Sequence, residues 1–228
     1  MRSFLTVLIL SIATTLTLAT PSAQSPDEAR RISDSILVLE EMMAAGDKAV
    51  PASILEKAVG VAVFPSLLKG GFLVGGQRGH GILSVRDKKT RLWSAPAFLT
   101  ITGGSIGAQI GGQAIDLILV VNDERGLEQL VKNQFKVGAD AGVAAGPVGR
   151  EAAAATDIQM RAKILSYSRA RGLFAGMTIN GSTIRQDRDA NERFYGTAYR
   201  TGQIVYEGLG GAPQSAAAWK EALAKYAK

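Results

Sequence analysis

The sequence predicts an α+β fold in which helices cover a curved, mostly antiparallel sheet. Three observations point there. Gly70 to Arg150 holds sixteen glycines, a density that is costly in helices. Short apolar runs between them, such as Gly81 to Val85 and Ala114 to Val121, read as strands with bulges and tight bends. Segments of helical periodicity stand at the two ends. Whether the sheet closes into a barrel stays open.

Residues 1–23 carry Arg2, an apolar run from Phe4 to Leu18, then small residues and Pro21. This is the pattern of a secretory leader cut after Ala23 or Ala19, and the run is short for a membrane span. Residues 24–228 are then expected to form one domain. Ser25-Pro26-Asp27-Glu28 starts a helix whose Ala29, Ile32, Ile36, Leu39 and Met43 recur on one face. Its charges are mainly acidic, which favours docking on the sheet over binding anionic lipid. A short helix follows Pro51.

Strands are expected over Val61–Phe64, ended by Pro65, then Phe72–Gly76, Gly81–Arg86, Ala97–Thr102 and Ser105–Gln113. Asp87 to Thr90 reads as a hairpin loop leading into Arg91-Leu92-Trp93. Ala114–Val121 reads as a central strand buried on both faces. Asp123 caps a helix carrying Leu127, Leu130 and Val131. Phe135 to Val143 alternates as one strand, and Ala162–Arg169 and Leu173–Ile179 are further strands. Asn180-Gly181 signals a hairpin to Ser182–Gln186. Helical turns are expected at Asp189–Tyr195 and Gly202–Glu207. Ser215 is expected to cap a last helix with Trp219, Leu223 and Tyr226 on one face. Its lysines and aromatic rings make that helix the better membrane candidate by composition, while docking on the core is the commoner fate of such a helix.

The chain has no Cys, which excludes disulfides and thiolate chemistry. Of 26 Lys and Arg against 20 Asp and Glu, only Arg2 leaves with the leader, so the mature charge is about +5. For an exported chain the expected polyanion is a membrane surface or polysaccharide, not nucleic acid.

Catalytic motifs are incomplete. Gly103-Gly104-Ser105-Ile106-Gly107 matches the nucleophile elbow, yet the one histidine, His80, lies upstream of the serine. Ser66-Leu67-Leu68-Lys69 matches S-x-x-K without its companion motifs. A serine hydrolase is thus the remote alternative. Asp187 to Asn191 resembles half a calcium loop, with Glu192 where glycine is needed. No phosphate loop occurs, and neither a metal nor a cofactor is expected.

Two basic clusters remain: Arg86, Lys88, Lys89 and Arg91 around the hairpin, and Arg161, Lys163, Arg169 and Arg171. They read either as solvated faces or as a site holding phosphate headgroups in guanidinium forks.

An ordered set of motifs runs through the chain: Phe64-Pro65, Lys69-Gly70-Gly71-Phe72, Gly79-His80-Gly81, Trp93-Ser94-Ala95-Pro96-Ala97, Gly103 to Gly111, Gly138-Ala139-Asp140, Gly146 to Arg150, Tyr167 to Gly176, and Tyr195-Gly196. From about residue 35 onward this resembles the SYLF-domain family, whose bacterial members are exported. The resemblance implies a non-enzymatic lipid-binding protein of the bacterial cell envelope. Eukaryotic members bind anionic lipids, partly through an N-terminal amphipathic helix, and some fungal members bind actin. With a leader present, anionic phospholipid is the expected partner and actin is not. Among motif positions, Lys69, Arg150, Arg169 and Arg171 are the expected headgroup cations. The alternative is a structural or protein-interaction module of the envelope.

Overall fold

The computed structural model describes residues 26–72, 74–106, 111–149, 162–170, 173–174, 179–209 and 213–227. The expected leader, Ser25, Arg150, Arg161 and Arg171 lie outside these. The N-terminal helix α1 (Pro26–Met43) is followed by α2 (Ala52–Lys57) and four long strands. These are β1 (Gly60–Phe72), β2 (Val74–Val85), β3 (Ala97–Ile106) and β4 (Gly111–Val121). Helix α3 (Glu124–Val131) precedes the short strands β5 (Gln134–Lys136) and β6 (Val143–Ala145). Then come β7 (Ile164–Ala170), β8 (Leu173–Phe174) and β9 (Thr183–Gln186), and helices α4 (Arg188–Tyr195), α5 (Thr201–Val205) and α6 (Gln214–Tyr226).

The strands form one sheet in the order β5-β9-β3-β2-β1-β4-β7-β6, with β8 also on β7. Every pairing is antiparallel except β6 with β7. Chain length dictates the curvature. In a flat sheet β8 and β9 would stand six strand spacings apart, about 29 Å. Ile179 O accepts the Ser182 N–H at 3.0 Å, so Ile179 already lies beside the start of β9; it follows Phe174 by five residues, a reach of at most about 18 Å. The sheet therefore curls into a half-barrel, and the expected α+β class with a curved antiparallel sheet is what forms.

Pro65 does not end β1. Phe64 pairs with Leu117 and Leu67 with Ile115, so Pro65-Ser66 bulges out of the ladder. Proline, which lacks a ladder donor, is tolerated at such a bulge. Ser66 sits at φ 50°, and its N–H is held by Asp116 Oδ1 at 3.0 Å. Opposite, Gly81 has no room for a side chain: a Cβ there would lie 2.4 Å from both Val63 O and the Phe64 ring. The expected strand breaks between Gly76 and Gly81 and after Thr102 are likewise absent, because the ladder runs unbroken from Val74–Ile106 to Leu83–Ala97.

The expected strand Phe135–Val143 is broken in two. Gly138 adopts φ +88°, and the Asp140 carboxylate accepts the Lys136 N–H at 2.6 Å, closing a tight turn. Asn180-Gly181 does turn the chain, but β9 pairs with β3 and β5 and not with β8. Asp123 caps α3 as expected, accepting the Gly126 N–H at 2.7 Å. Helix α6 starts one residue before Ser215, with Pro213 at the cap position.

Side chains alternate across the sheet into two cores. One holds Val61, Val63, Ile82, Phe98, Ile118, Val120 and Tyr167 against α1, α4 and α6. The other holds Phe64, Leu67, Leu99, Leu117 and Leu119 against α3, α5, β5 and β9. Helix α1 buries Ile32, Val38, Leu39 and Met42, with Ile36 and Met43 only partly covered. Its acids meet cations of other elements: Glu28 with Arg193 at 2.6 Å, Glu40 with Lys225 at 3.4 Å, and Glu41 with Arg169. Docking of α1 on the sheet is thus observed. Trp219 of α6 is fully buried, its Nε1–H donating to Ser84 Oγ at 2.8 Å. A tryptophan so placed cannot anchor α6 at a membrane interface. Among the described residues no helix is long and apolar enough to cross a membrane.

Candidate functional site

At one end of the sheet, β2 runs into the hairpin Arg86 to Trp93, closed by a bridge between those two residues. Asp87 shapes its turn. One carboxylate oxygen accepts the Thr90 N–H at 2.7 Å, the Thr90 hydroxyl at 2.9 Å and the Lys89 N–H at 3.0 Å. The two Thr90 bonds lead in holding the carboxyl below its usual range. Arg91 takes φ 60°, a conformation that costs a non-glycine residue about 1–3 kcal/mol. Its guanidinium is tied to Glu56 O at 2.8 Å.

Arg86 is a clasp. Its guanidinium donates to Arg91 O at 3.0 Å, Glu56 O at 2.9 Å and Ala227 O at 2.7 Å. It also lies 5.5 Å from the centroid of the Trp93 ring. One side chain thus joins the hairpin, α2 and the C-terminal end of α6.

Beside this clasp is a groove of about 820 Å³, bounded by the hairpin, the start of α3, the end of α5 and α6. Leu92 and Tyr206 stand exposed on it at 67% and 52%, two large apolar side chains on one groove. Burial, with Glu124 and Glu128 nearby, pushes the Tyr206 hydroxyl up to about 12. Lys88 pairs with Glu124 at 3.2 Å. Lys89 and Lys220 line the same groove and have no ion-pair partner among the described residues. Trp93 forms part of the wall; it is buried, and its Nε1–H has no acceptor among the described residues.

The cations singled out from the sequence are not brought together. Arg86, Lys88, Lys89 and Arg91 share the hairpin, with the two arginines bonded inward. Lys69 pairs with Gln77 and Gln113 towards the other end, nine residues along β2 from Arg86, or about 30 Å. Arg169 joins three elements, bonding Glu41 of α1 and Asp116 of β4, the latter at 3.2 Å. Arg150 and Arg171 lie outside the described residues. Local sequence gave no sign of the groove's apolar part. Leu92 lies inside a charged hairpin, and Tyr206 inside an expected helical turn.

The catalytic motifs find no support in the backbone. Ser105 lies within β3, opposite Gly75, where a nucleophile elbow needs a strand-to-helix turn. Ser66 occupies the bulge. Asp187 caps α4 through the Ala190 N–H at 3.2 Å and pairs with Arg31 at 3.0 Å, so the calcium-loop reading gives way to a helix cap. His80 Nδ1 stands 3.4 Å from the same carboxylate. Among the described residues no cluster of His, Asp and Glu has a metal-binding arrangement.

Fold and site together define a class: a half-barrel sheathed by helices, with Arg86 and Arg169 bonded within the chain and an open groove beside the hairpin. The chain belongs to the Ysc84 family, the SYLF-domain family that its motifs resemble. That family is described as "Las17-binding protein actin regulator", and its profile matches residues 102–226. The chain is 35% identical to Protein YSC84 of Saccharomyces cerevisiae over 153 residues, covering 66% of this chain and 32% of the yeast protein. It is 35% identical to SH3 domain-containing YSC84-like protein 1 of Mus musculus over 173 residues, covering 75% of this chain and 49% of the mouse protein. The human counterpart is 34% identical over 161 residues, 70% of this chain and 46% of that protein. The chain thus spans about a third to a half of these relatives.

The family description is that of a binding and regulatory protein, not of an enzyme. It corrects the expectation about partners. Anionic phospholipid was expected and actin was not, whereas the description names Las17 binding and actin regulation. The physical reason fits: Arg86 and Arg169, two of the cations expected to hold a headgroup, are bonded within the chain.

Proposed function

We propose that this chain is a non-catalytic protein-binding module over residues 24–228, engaging an actin assembly or one of its regulators. The observation that carries the reading is the open groove at the hairpin, where exposed Leu92 and Tyr206 stand among lysines. Exposed apolar side chains rimmed by charge are the usual dress of a protein contact surface. The names borne by its relatives point to the same class of partner. Co-sedimentation of the purified chain with actin filaments, alongside capture by immobilised Las17, tests the proposal. Saturable recovery with either supports it; recovery with neither, at low and at physiological salt, overturns it.

A separate proposal is export through residues 1–23 to the cell envelope, where the groove would meet an envelope protein instead of actin. Export decides which binding protein is met, not whether the groove takes a protein. Fractionation that finds the shortened chain beyond the inner membrane supports it; full-length chain confined to the cytosol overturns it.

A further inference from the structure

We propose that the groove beside the Arg86–Trp93 hairpin takes an acidic, extended segment of a partner protein, one that presents an apolar side chain beside its carboxylates. This deepens the protein-binding reading and rests on it. Three observations carry it. Lys89 and Lys220 both line the groove and form no ion pair among the described residues, while its two acids have other bonds. Asp87 is bonded to its own turn, and Glu124 to Lys88. The surplus charge is therefore positive, and the complement is negative. Leu92 and Tyr206, 67% and 52% exposed, offer an apolar seat between those charges. The third observation is Trp93: only 4% exposed, lining the groove, and carrying an Nε1–H without an acceptor among the described residues. A buried donor left unpaired costs about 1–3 kcal/mol. An incoming carbonyl or carboxylate oxygen would satisfy it.

The probe is a short synthetic peptide with Asp and Leu in alternation, titrated into the ¹⁵N-labelled chain. The chain has two tryptophans, so two indole N–H resonances report the outcome. Trp219 is already bonded to Ser84 and serves as the internal control. The Trp93 resonance, assigned by its loss in Trp93→Phe, is expected to shift downfield saturably while that of Trp219 stays. The double variant Lys89→Glu with Lys220→Glu, its fold checked by the unchanged Trp219 resonance, should bind about tenfold more weakly. Leu92→Ala should weaken binding by a similar factor. A stationary Trp93 resonance at saturation overturns the proposal, as does equal binding of a Lys-Leu peptide. Failure here separates from failure of the wider reading. If the double variant still pellets with actin filaments as the parent chain does, the groove assignment falls and the module stands. If Trp93 responds to the peptide but the parent chain binds neither filaments nor Las17, the reverse holds.

Discussion

The two ends of the sheet are built on opposite terms. At the hairpin end, large side chains converge from distant parts of the chain: Arg86 reaches α2 and residue Ala227, and Trp219 reaches Ser84. At the other end, β1 to β4 meet in glycines: Gly70 with Gly76 and Gly112, Gly71 with Gly75 and Gly111, and Gly76 with Gly104. A Cβ at Gly104 would have nothing within 4 Å, and one at Gly76 would meet only Gly103 O at 3.8 Å. Leu68 there is 65% exposed. The contrast teaches that glycine plays two roles in this sheet. Near the middle it admits a neighbour's ring; at the far end, at Gly104 and Gly76, a side chain would meet little or nothing among the described residues.

Arg86→Ala should break the comparison most deeply. It strands three backbone carbonyls bonded by a charged donor and should cost about 4 kcal/mol in denaturant unfolding. A loss below about 1 kcal/mol would show the hairpin end to be no better held than the other. Next comes Gly81→Ala, which drives a methyl into Val63 O and the Phe64 ring, at about 3 kcal/mol. Gly104→Ala, in the same kind of strand, should change stability by no more than about 0.5 kcal/mol. Equal costs at the two positions would erase the distinction.

The ion pair that fastens α1 gives a pH-dependent effect. Burial pushes the Asp187 carboxyl up, but the Ala190 N–H, Arg31 and His80 outweigh it, and its pKa falls below the usual value. A carboxyl depressed on folding holds fewer protons than in the unfolded chain. Its contribution is therefore complete above the ordinary Asp range, about pH 4, and is lost as pH falls through the folded value. Melting temperature followed from neutral to acid should drop more steeply for the parent chain than for Asp187→Asn. Parallel profiles would remove this pair from the account. The smallest effect belongs to Lys89→Glu with Lys220→Glu, which should leave stability within about 0.5 kcal/mol of the parent. A large loss would mean these lysines hold the fold together instead of waiting for a partner.

Much of this was written locally. The 3.6-residue rhythm of α1, the cap at Asp123, the turn chemistry of Asp87 and Asn180-Gly181, and the apolar β4 all depend on neighbours in sequence. So did the fold class, since so many glycines among short apolar runs exclude a helical middle. Partners distant in sequence were not legible. Nothing near Pro65 says that β4 will slip past it, and nothing near β9 names β3 as its neighbour. The arginines show the limit best. Arg86 looks like a free cation until Ala227, 141 residues on, accepts its bond. Arg169 does too until Glu41 and Asp116 arrive. A guanidinium costs too much to leave unpaired when its surroundings exclude water, so the fold chooses its partners. Sequence alone determined which elements exist, because propensity, caps and periodicity act within a few residues. The tertiary structure alone decided which charges are spent inside and which surface stays open, because both depend on what the folded chain brings beside them.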